Sequence, residues 1–302
     1  MASEERLYDC AIIGAGPGGL QAAIYLCRYN RSVLLIDRGG GRTRHAKHIE
    51  NFLTQKAISG DEIIRLGMEQ ARAFGAQVEK GTVTRADKNE GIFDIATKEK
   101  RAFRARFLIA STGGTENLPK LENLYKFFGK SFYTCIDCDG YRCRGTKHVV
   151  IGKGEKACRL ALAMRQMFTE DATLVLLEGD IPPGYEEELS ARNIEVISEE
   201  PVRLLGEEGL EGIELKSGRV VPCETILSAL GYALNDEYLS HLPIKRSESG
   251  KIGTTKHYES SLSGLYVVGP LTGSDQAVVA AGEGALAAMD INGRLFEFYL
   301  GG

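Results

Sequence analysis

Two cysteines, Cys135 and Cys138, are followed at once by Asp139 in the stretch YTCIDCDGYRCRG. Thiols at this spacing can close a small disulfide ring, and the spacing often lowers the pKa of one of them, which favours disulfide exchange. A zinc site needs four ligands, and the sequence has no second CxxC and no HxxxH; Cys143 and His148 could be recruited, but redox chemistry is the favoured interpretation. Asp139 either moves the proton that thiol chemistry requires or caps a turn.

A glycine-rich turn near the start of the chain predicts a dinucleotide site. In YDCAIIGAGPGGLQAAIYL a short apolar run meets the glycines and passes into helical periodicity, and SVLLID then ends a second strand at Asp37. Such glycines bend the turn, admit a pyrophosphate and let helix and strand pack closely, while the acid accepts hydrogen bonds from a ribose. The complete unit favours a dinucleotide site over a mere tight turn. Its expected contacts are Gly14, Gly16, Pro17, Gly18, Gly19 and Asp37.

The same unit recurs 138 residues later, where Gly152 stands in register with Gly14. VVIGKGEKA supplies the loop and TLVLLE the second strand. Period-two runs such as GIELKSGRVVPCETILSAL follow, and SGLYVVGPLTG returns to a glycine-rich strand before the helix QAVVAAGEGALAAMDI. We therefore predict an α/β fold of two three-layer, Rossmann-like domains, the second inserted into the first. The first takes residues 1–114 plus 247–302, and the second, 115–246, carries the CxxC.

Bulk composition predicts a folded protein that binds neither nucleic acid nor membrane. The 302 residues are 43% hydrophobic, which suffices for a sizeable core. A formal charge of -4 gives no broad basic field, and no apolar run approaches membrane-spanning length. The charged start MASEERLYDC is unlike a signal peptide, and seven cysteines, an odd number, fit a reducing cytoplasm. We expect the cysteines outside the CxxC to be buried or incidental: Cys10, Cys27, Cys143, Cys158 and Cys223.

Further segments follow one another in a specific order. They are IENFL, IASTGG, CIDCDG, LSALGY and QAVVAAGEGALAA, close to the patterns ENWPG, ATG, CATCDG, AIGH and a glycine-rich terminal helix. Over nearly its whole length the chain resembles the low-molecular-weight thioredoxin reductase family. In that family FAD takes two electrons from NADPH and passes them to the CxxC, and the dithiol then reduces thioredoxin.

The resemblance implies roles for individual residues. Cys138 would face the flavin, Cys135 would attack the disulfide of a thioredoxin-like partner, and Asp139 would protonate a departing thiolate. It makes 1–114 plus 247–302 the FAD-binding domain and 115–246 an NAD(P)-binding-like domain, and it implies a homodimer. It also adds FAD contacts to the glycine-loop set: Asn51, Val83, Thr112, Gly113, Gly269, Gln276 and Ala277.

The second dinucleotide loop departs from the family. Where the family has HRR and a further arginine that clamp the extra phosphate of NADPH, this chain reads LLEGD. Glu178 would repel a 2′-phosphate and suits a ribose hydroxyl instead. Lys156 stands where the family prefers a small residue; it would crowd the phosphate site, or attract a phosphate by its charge. We expect NADPH not to be the working donor, and NADH to be favoured over it if either binds.

Three other departures concern the FAD side. Pro270 follows Gly269 where the family has Gly-Asp, whose carboxylate binds the ribityl chain, so one polar contact is lost. The loop GGGRTRHAKH replaces GGQL; a solvated loop is favoured, and the alternatives are a basic edge over the flavin or pyrophosphate and a landing place for an acidic electron donor. The aromatic tail RLFEFYLGG, with Phe296, Phe298 and Tyr299, is better explained by helix-end packing than by a flavin cover.

These patterns leave the electron donor open. The favoured function is a thioredoxin-reductase-like flavoprotein that passes electrons through FAD and the Cys135/Cys138 pair to a thioredoxin-like disulfide. Relatives with degraded NADPH motifs take electrons from ferredoxin, or run in reverse as dithiol oxidases that use oxygen. An NADH- or NADPH-dependent reductase and a flavin-bearing regulator without turnover are further alternatives. The regulator is disfavoured because a binding module needs neither the CxxC nor Asp139.

Overall fold

The computed structural model describes residues 6–301, which form two compact units. The first unit contains the described residues up to Thr115 and those from Leu234 onward, and the second contains Glu116–Ala233. The sequence predicted two Rossmann-like domains of α/β class, and the structure confirms that fold class.

The strands within residues 6–301, in chain order, are as follows: β1 Leu7–Ile13, β2 Val33–Asp37, β3 Gln77–Lys80, β4 Val83–Asn89, β5 Ile92–Thr97, β6 Ala102–Ala110, β7 Gly114–Glu116, β8 Phe132–Tyr133, β9 His148–Gly152, β10 Ala172–Leu176, β11 Glu195–Ile197, β12 Pro201–Leu205, β13 Gly212–Leu215, β14 Val220–Pro222, β15 Thr225–Ser228, β16 Tyr232–Leu234 and β17 Leu265–Val267.

The helices of the same range are α1 Pro17–Arg28, α2 Arg42–His45, α3 Gly60–Ala73, α4 Leu124–Phe127, α5 Ile136–Asp139, α6 Gly154–Met167, α7 Tyr185–Ala191 and α8 Ala277–Leu300. Short 3-10 turns cover Gly140–Cys143, Glu237–Leu239 and Gly269–Leu271.

The first unit is built on a sheet of order β3-β2-β1-β6-β5-β4, with β17 on the other side of β6. Strands β3, β2, β1, β6 and β17 run parallel, whereas β4 and β5 form an antiparallel extension. Because parallel strands end at a common edge, β1, β6 and β17 deliver the segments that follow them to one side of the sheet.

Both faces of this sheet are covered, as the continuous apolar runs of its strands predict. Along β1, Cys10 and Ile12 point into one core with α1 and α8, while Ala11 and Ile13 point into the other with Phe93 and β17. The N-terminal β1-α1 segment and the C-terminal helix therefore share one hydrophobic core.

The second unit repeats the architecture on a smaller scale. Its parallel sheet has the order β11-β10-β9-β15-β8, and an antiparallel sheet β12-β13-β14 packs with it. Gly152 lets α6 approach β9, because a side chain there would meet Ala157 at 2.7 Å and Ala229 at 2.8 Å. The predicted second strand-loop-helix-strand unit is thus β9, α6 and β10.

Several local expectations differ from the structure. The second unit ends at Ala233, before the predicted boundary at residue 246, because Tyr238 and Leu239 are buried in the core of the first unit. The segment DIPPGYEE is a loop only until Tyr185, where α7 begins. No helix within residues 6–301 combines the length and the apolar character that crossing a lipid bilayer demands.

Candidate functional site

The first glycine loop is shaped by backbone contacts that exclude side chains. Gly14 has φ +99, and a Cβ there would lie 2.3 Å from the carbonyl oxygen of Ser111. A Cβ at Gly19 would lie 2.0 Å from the carbonyl oxygen of Gly14. A Cβ at Gly16, by contrast, meets nothing within 4 Å. The loop is therefore packed tightly on its inner side and open at Gly16, where a pyrophosphate would approach.

The start of α1 offers donors to an anion. Gly16 is the N-cap residue and supplies no side-chain cap, while Pro17 occupies the first turn. The helix also has no acidic residue in its first turn. Its free N–H groups and the positive end of its dipole thus favour a phosphate.

Asp37 lies at the end of β2 beside this loop. Its Oδ1 accepts from the backbone N–H of Ala15 at 3.0 Å, and its Oδ2 accepts from that of Gly39 at 2.9 Å. The N–H of Gly81 donates to the Asp37 carbonyl at 3.0 Å, so the connection that leads to Val83 passes the same strand end. Asp37 is only half-buried, which leaves carboxylate lone pairs for a ribose.

The segments after β6 and β17 complete this edge of the sheet. The hydroxyl of Thr112 donates to the Asn235 carbonyl, and the Asn235 side chain returns a bond to the Thr112 carbonyl at 3.2 Å. Gly113 has φ +66, and the nearest atom to a Cβ there would be in the Pro270 ring at 3.9 Å. Gly269 has φ +74 and begins a 3-10 turn.

Two further predicted residues contact each other at the start of α8. The Asn51 side-chain amide donates to Gln276 Oε1 at 3.0 Å, and Gln276 is the N-cap residue of the helix that begins at Ala277. An open glycine loop, an acid at the second strand end and a helix N-terminus on one unit together fit a dinucleotide of the size of FAD. The individual FAD contacts remain predictions.

The thiol pair lies in the second unit. Cys135 and Cys138 are joined by a disulfide with a Cα-Cα distance of 5.3 Å, and both are half-buried. Cys135 is the N-cap residue of α5, and its sulfur accepts from the Cys138 N–H at 3.2 Å. Gly140 allows this segment to lie against Phe168, whose ring would be 2.7 Å from a Cβ. The pair is thus a closed ring on a packed support and remains partly accessible.

Asp139 has a neighbour that the sequence pattern did not predict. The guanidinium of Arg142 lies 3.4 Å from its carboxylate, and both side chains are partly exposed. Behind them, burial raises the pKa of the Cys143 thiol to about 11. Cys143 is therefore a poor nucleophile, unlike the pair in front of it.

The remaining cysteines have the environment expected of them. Cys10, Cys27, Cys143, Cys158 and Cys223 are free and buried. Within the described part of the chain, no group of three or more His, Cys, Asp and Glu side chains could hold a metal ion. Zinc binding was the alternative interpretation of the CxxC. Residues 6–301 contain no set of side chains that could serve as its ligands.

Charged side chains of the chain itself lie beside the second glycine loop. Lys153, the N-cap residue of α6, forms an ion pair with Glu178 at the end of the following strand. The ammonium of Lys156 lies beside Gly231, since a Cβ at Gly231 would be 3.3 Å from it. The sequence singled out Glu178 and Lys156 but not the Lys153 pair. Lys153 and Lys156 are both exposed beside this loop.

The basic loop GGGRTRHAKH and the aromatic tail RLFEFYLGG both contain helical residues. Residues Arg42–His45 form α2; Arg42 lies 3.8 Å from Asp275 and Arg44 lies 2.9 Å from Asp61. The tail belongs to the last turn of α8, where the Tyr299 hydroxyl donates to Asp9. Phe296, Phe298 and Tyr299 nevertheless remain about half exposed, so the predicted helix-end packing of the tail is only partial.

Comparison with known proteins places this geometry in a family. The model of the pyridine nucleotide-disulphide oxidoreductase family matches residues 8–284. The chain belongs to this family. Among curated relatives, the thioredoxin reductase of Bacillus subtilis is 26% identical over 96% of this chain and 95% of its own length.

Solved structures are similar to this protein over almost the whole chain. The crystal structure of HlmI has a TM-score of 0.91 at 28% identity and covers 97% of this chain and 94% of its own. The putative thioredoxin reductase TrxB from Bacillus anthracis has a TM-score of 0.88 at 26% identity and covers 96% of this chain and 99% of its own. The protein is an FAD-dependent disulfide oxidoreductase of the thioredoxin reductase type.

Proposed function

We propose that the protein exchanges electrons between FAD, held by the first unit, and the disulfide of a thioredoxin-like protein, with a donor other than NADPH. The observation that carries the proposal is the accessible Cys135-Cys138 disulfide in a chain of this family. Bound FAD would supply two electrons at a time, which is the number that reduction of one disulfide requires.

Cys135, Cys138 and Asp139 each have a separate role in the proposed disulfide exchange. Once reduced, Cys135 attacks the partner's disulfide, forms a mixed disulfide and releases one partner thiolate. Asp139 provides the proton for that thiolate. Cys138 then attacks the Cys135 sulfur, which frees the second partner thiol and restores the Cys135-Cys138 disulfide. Two electrons and two protons pass to the partner in each cycle.

The second glycine loop supports a donor other than NADPH. Glu178 places a carboxylate where the 2′-phosphate would lie, and its Lys153 partner is exposed, so the ion pair compensates that charge only weakly. The exposed Lys156 ammonium beside Gly231 would also crowd a nicotinamide cofactor in that region.

Basic side chains on the surface of the first unit favour an acidic protein, such as ferredoxin, as the electron donor. Residues 41–58, here called the basic lobe, contain Arg42, Arg44, Lys47 and Lys56, and the two lysines are exposed and form no ion pair with any residue in the range 6–301. The lobe is tied to the start of α8 through Asn51, among the predicted FAD contacts. A positive lobe on a chain of net charge -4 would steer an acidic partner to that edge.

A dithiol oxidase is the second candidate. In this reaction a substrate dithiol reduces the Cys135-Cys138 disulfide, the electrons pass to FAD, and oxygen accepts them to give hydrogen peroxide. The departures at Glu178 and Lys156 support this candidate too, because oxygen needs no dinucleotide site.

We also propose that the protein is a homodimer. One stripe of α8 is buried against the first unit, but a second apolar stripe at heptad spacing is exposed and includes Val279, Leu286, Met289, Phe296 and Leu300. Two copies of such a stripe are complementary across a two-fold axis. Sedimentation of the purified protein tests this directly.

Anaerobic titration of the flavin separates the candidates. Reduced ferredoxin should bleach the flavin of the purified protein, while NADPH and NADH should not. If a small dithiol bleaches it and air restores the colour with release of one hydrogen peroxide per dithiol, the oxidase is the correct function. Fast bleaching by NADPH, followed by reduction of a thioredoxin, would contradict the proposed donor.

A further inference from the structure

Glu283 is a buried carboxylate on α8. Its side chain is only 2% exposed, and its Oε2 accepts from the backbone N–H of Gly269 at 2.5 Å. The hydroxyl of Ser274 and that of Thr272 lie near the same carboxylate, and the Thr272 hydroxyl donates to the Gly269 carbonyl at 2.8 Å. Burial raises the pKa of this carboxyl, and the neighbouring donors of Ser274, Gly269 and Thr272 oppose that rise. A single side chain on the helix thus faces three residues of the loop after β17.

This loop needs such support. Gly269 has φ +74, and Pro270 follows it where the thioredoxin reductase family has an aspartate that reaches the ribityl chain. Proline supplies neither that carboxylate nor a backbone N–H. The loop therefore lacks two of the polar groups that an aspartate at residue 270 would bring.

Glu283 also lies next to the first glycine loop. A Cβ at the neighbouring residue, Gly284, would be 2.0 Å from the carbonyl oxygen of Gly18. A Cβ at Gly18 would in turn be 3.0 Å from the carbonyl oxygen of Ala280, one turn earlier on α8. Glu283 is therefore placed between the two segments that meet at the carboxyl edge of the sheet.

We propose that Glu283 is a positioning residue for FAD: it holds the loop Gly269–Ser274 against α8, at the place where Pro270 itself offers FAD no polar side chain. The proposal rests on the proposed function for the identity of the cofactor. It assigns Glu283 no contact with FAD itself, and its effect is expected in FAD affinity rather than in thiol exchange.

The test measures FAD binding to apoprotein by quenching of flavin fluorescence. Glu283→Ala removes the acceptor of the Gly269 N–H and should weaken FAD binding at least about tenfold, the effect of losing one hydrogen bond to a charged group. Glu283→Gln should weaken it less, since the amide oxygen still accepts from Gly269. Glutamine has nearly the same shape as glutamate. If the alanine variant does not fold, the FAD affinity of Glu283→Gln is therefore the measurement that tests the proposal.

Asp290→Asn is the matched control on the same helix. Asp290 accepts from the Tyr266 hydroxyl and pairs with His257, away from the loop. This variant should lower the melting temperature and leave FAD affinity within about twofold of the wild type. If the Glu283 variants change FAD affinity no more than Asp290→Asn does, Glu283 is an ordinary core residue and the proposal is wrong.

A rescue separates support of the loop from general stability. Pro270→Asp, introduced into the Glu283→Ala protein, should recover most of the lost FAD affinity without restoring the melting temperature. Recovery of melting temperature alone, or of neither, would overturn the proposal. A wild-type protein that binds no FAD at all would instead contradict the proposed function, since that result does not depend on Glu283.

Discussion

The pair Glu178 and Lys156 offers the sharpest test of why NADPH should fail. Glu178 is largely exposed, so its repulsion of a 2′-phosphate is that of charges in a well-solvated site, about 1–4 kcal/mol at 4 Å. Its surface ion pair with Lys153 offsets about 0–1 kcal/mol of that. The net penalty of about 0–4 kcal/mol corresponds to a loss in NADPH affinity of up to roughly 1,000-fold.

Substitutions at Glu178 and at Lys156 should differ in their effects on NADPH and NADH. Glu178→Arg removes the repulsion and adds a charge-assisted bond to phosphate, so it should favour NADPH over NADH by roughly 100-fold or more. Lys156→Ser frees the space beside Gly231 and should help both nicotinamides equally. Only the double variant should show measurable bleaching of the flavin by NADPH in an anaerobic stopped-flow experiment.

Glu195→Arg and Lys216→Ser are suitable controls. Glu195 is likewise an exposed, ion-paired glutamate of the second unit, with Arg219 at 2.7 Å, and Lys216 is an exposed lysine paired with Glu200. Neither control should change the response to NADPH. The reasoning is refuted if wild-type protein is bleached briskly by NADPH, or if the double variant responds no better than these controls.

Four further predictions follow from the site. Gly16→Val should yield colourless protein of near wild-type melting temperature, because a Cβ there meets no protein atom but would obstruct the pyrophosphate; yellow protein would contradict this. After reduction, Cys135→Ser should keep a thiolate-to-flavin absorption band, while Cys138→Ser should lose it and trap a mixed disulfide with thioredoxin; the opposite pattern would exchange the two roles. Asp139→Asn should slow disulfide exchange by roughly 100-fold at unchanged FAD content, and an unchanged rate would leave Asp139 a structural role. Leu286→Glu should convert the dimer to a monomer in sedimentation, unlike a substitution at exposed Leu66 on α3.

Local patterns were enough to predict both glycine-loop units. A short apolar strand, glycines at fixed spacing and a helical repeat are encoded within about 25 residues, and β1, α1 and β2 follow them closely. The inserted arrangement was predictable for the same reason, since the loop at Gly152 repeats the loop at Gly14. The CxxC and its acid were equally visible because they are adjacent in the chain.

Features that depend on long-range packing were not predictable in this way. In the sequence, Glu283 looks like an ordinary polar residue of a helix rich in glycine and alanine. Its burial depends on the loop after β17, which folds onto α8. The Lys153 pair with Glu178 joins residues on either side of a helix, so spacing alone could not show it. The boundary was misplaced because Tyr238 belongs by packing to one unit and by sequence position to the stretch assigned to the other.

The close contact of Gly284 with Gly18 has a consequence for how the protein is made. On the ribosome, the glycine loop emerges early, but the helix that packs on it is translated only after the whole second unit. The second unit is continuous in the chain and can fold as soon as it has emerged. The first unit cannot complete its hydrophobic core until its C-terminal part has also been made. The packing of α8 on the glycine loop can therefore form only after the second unit has been made.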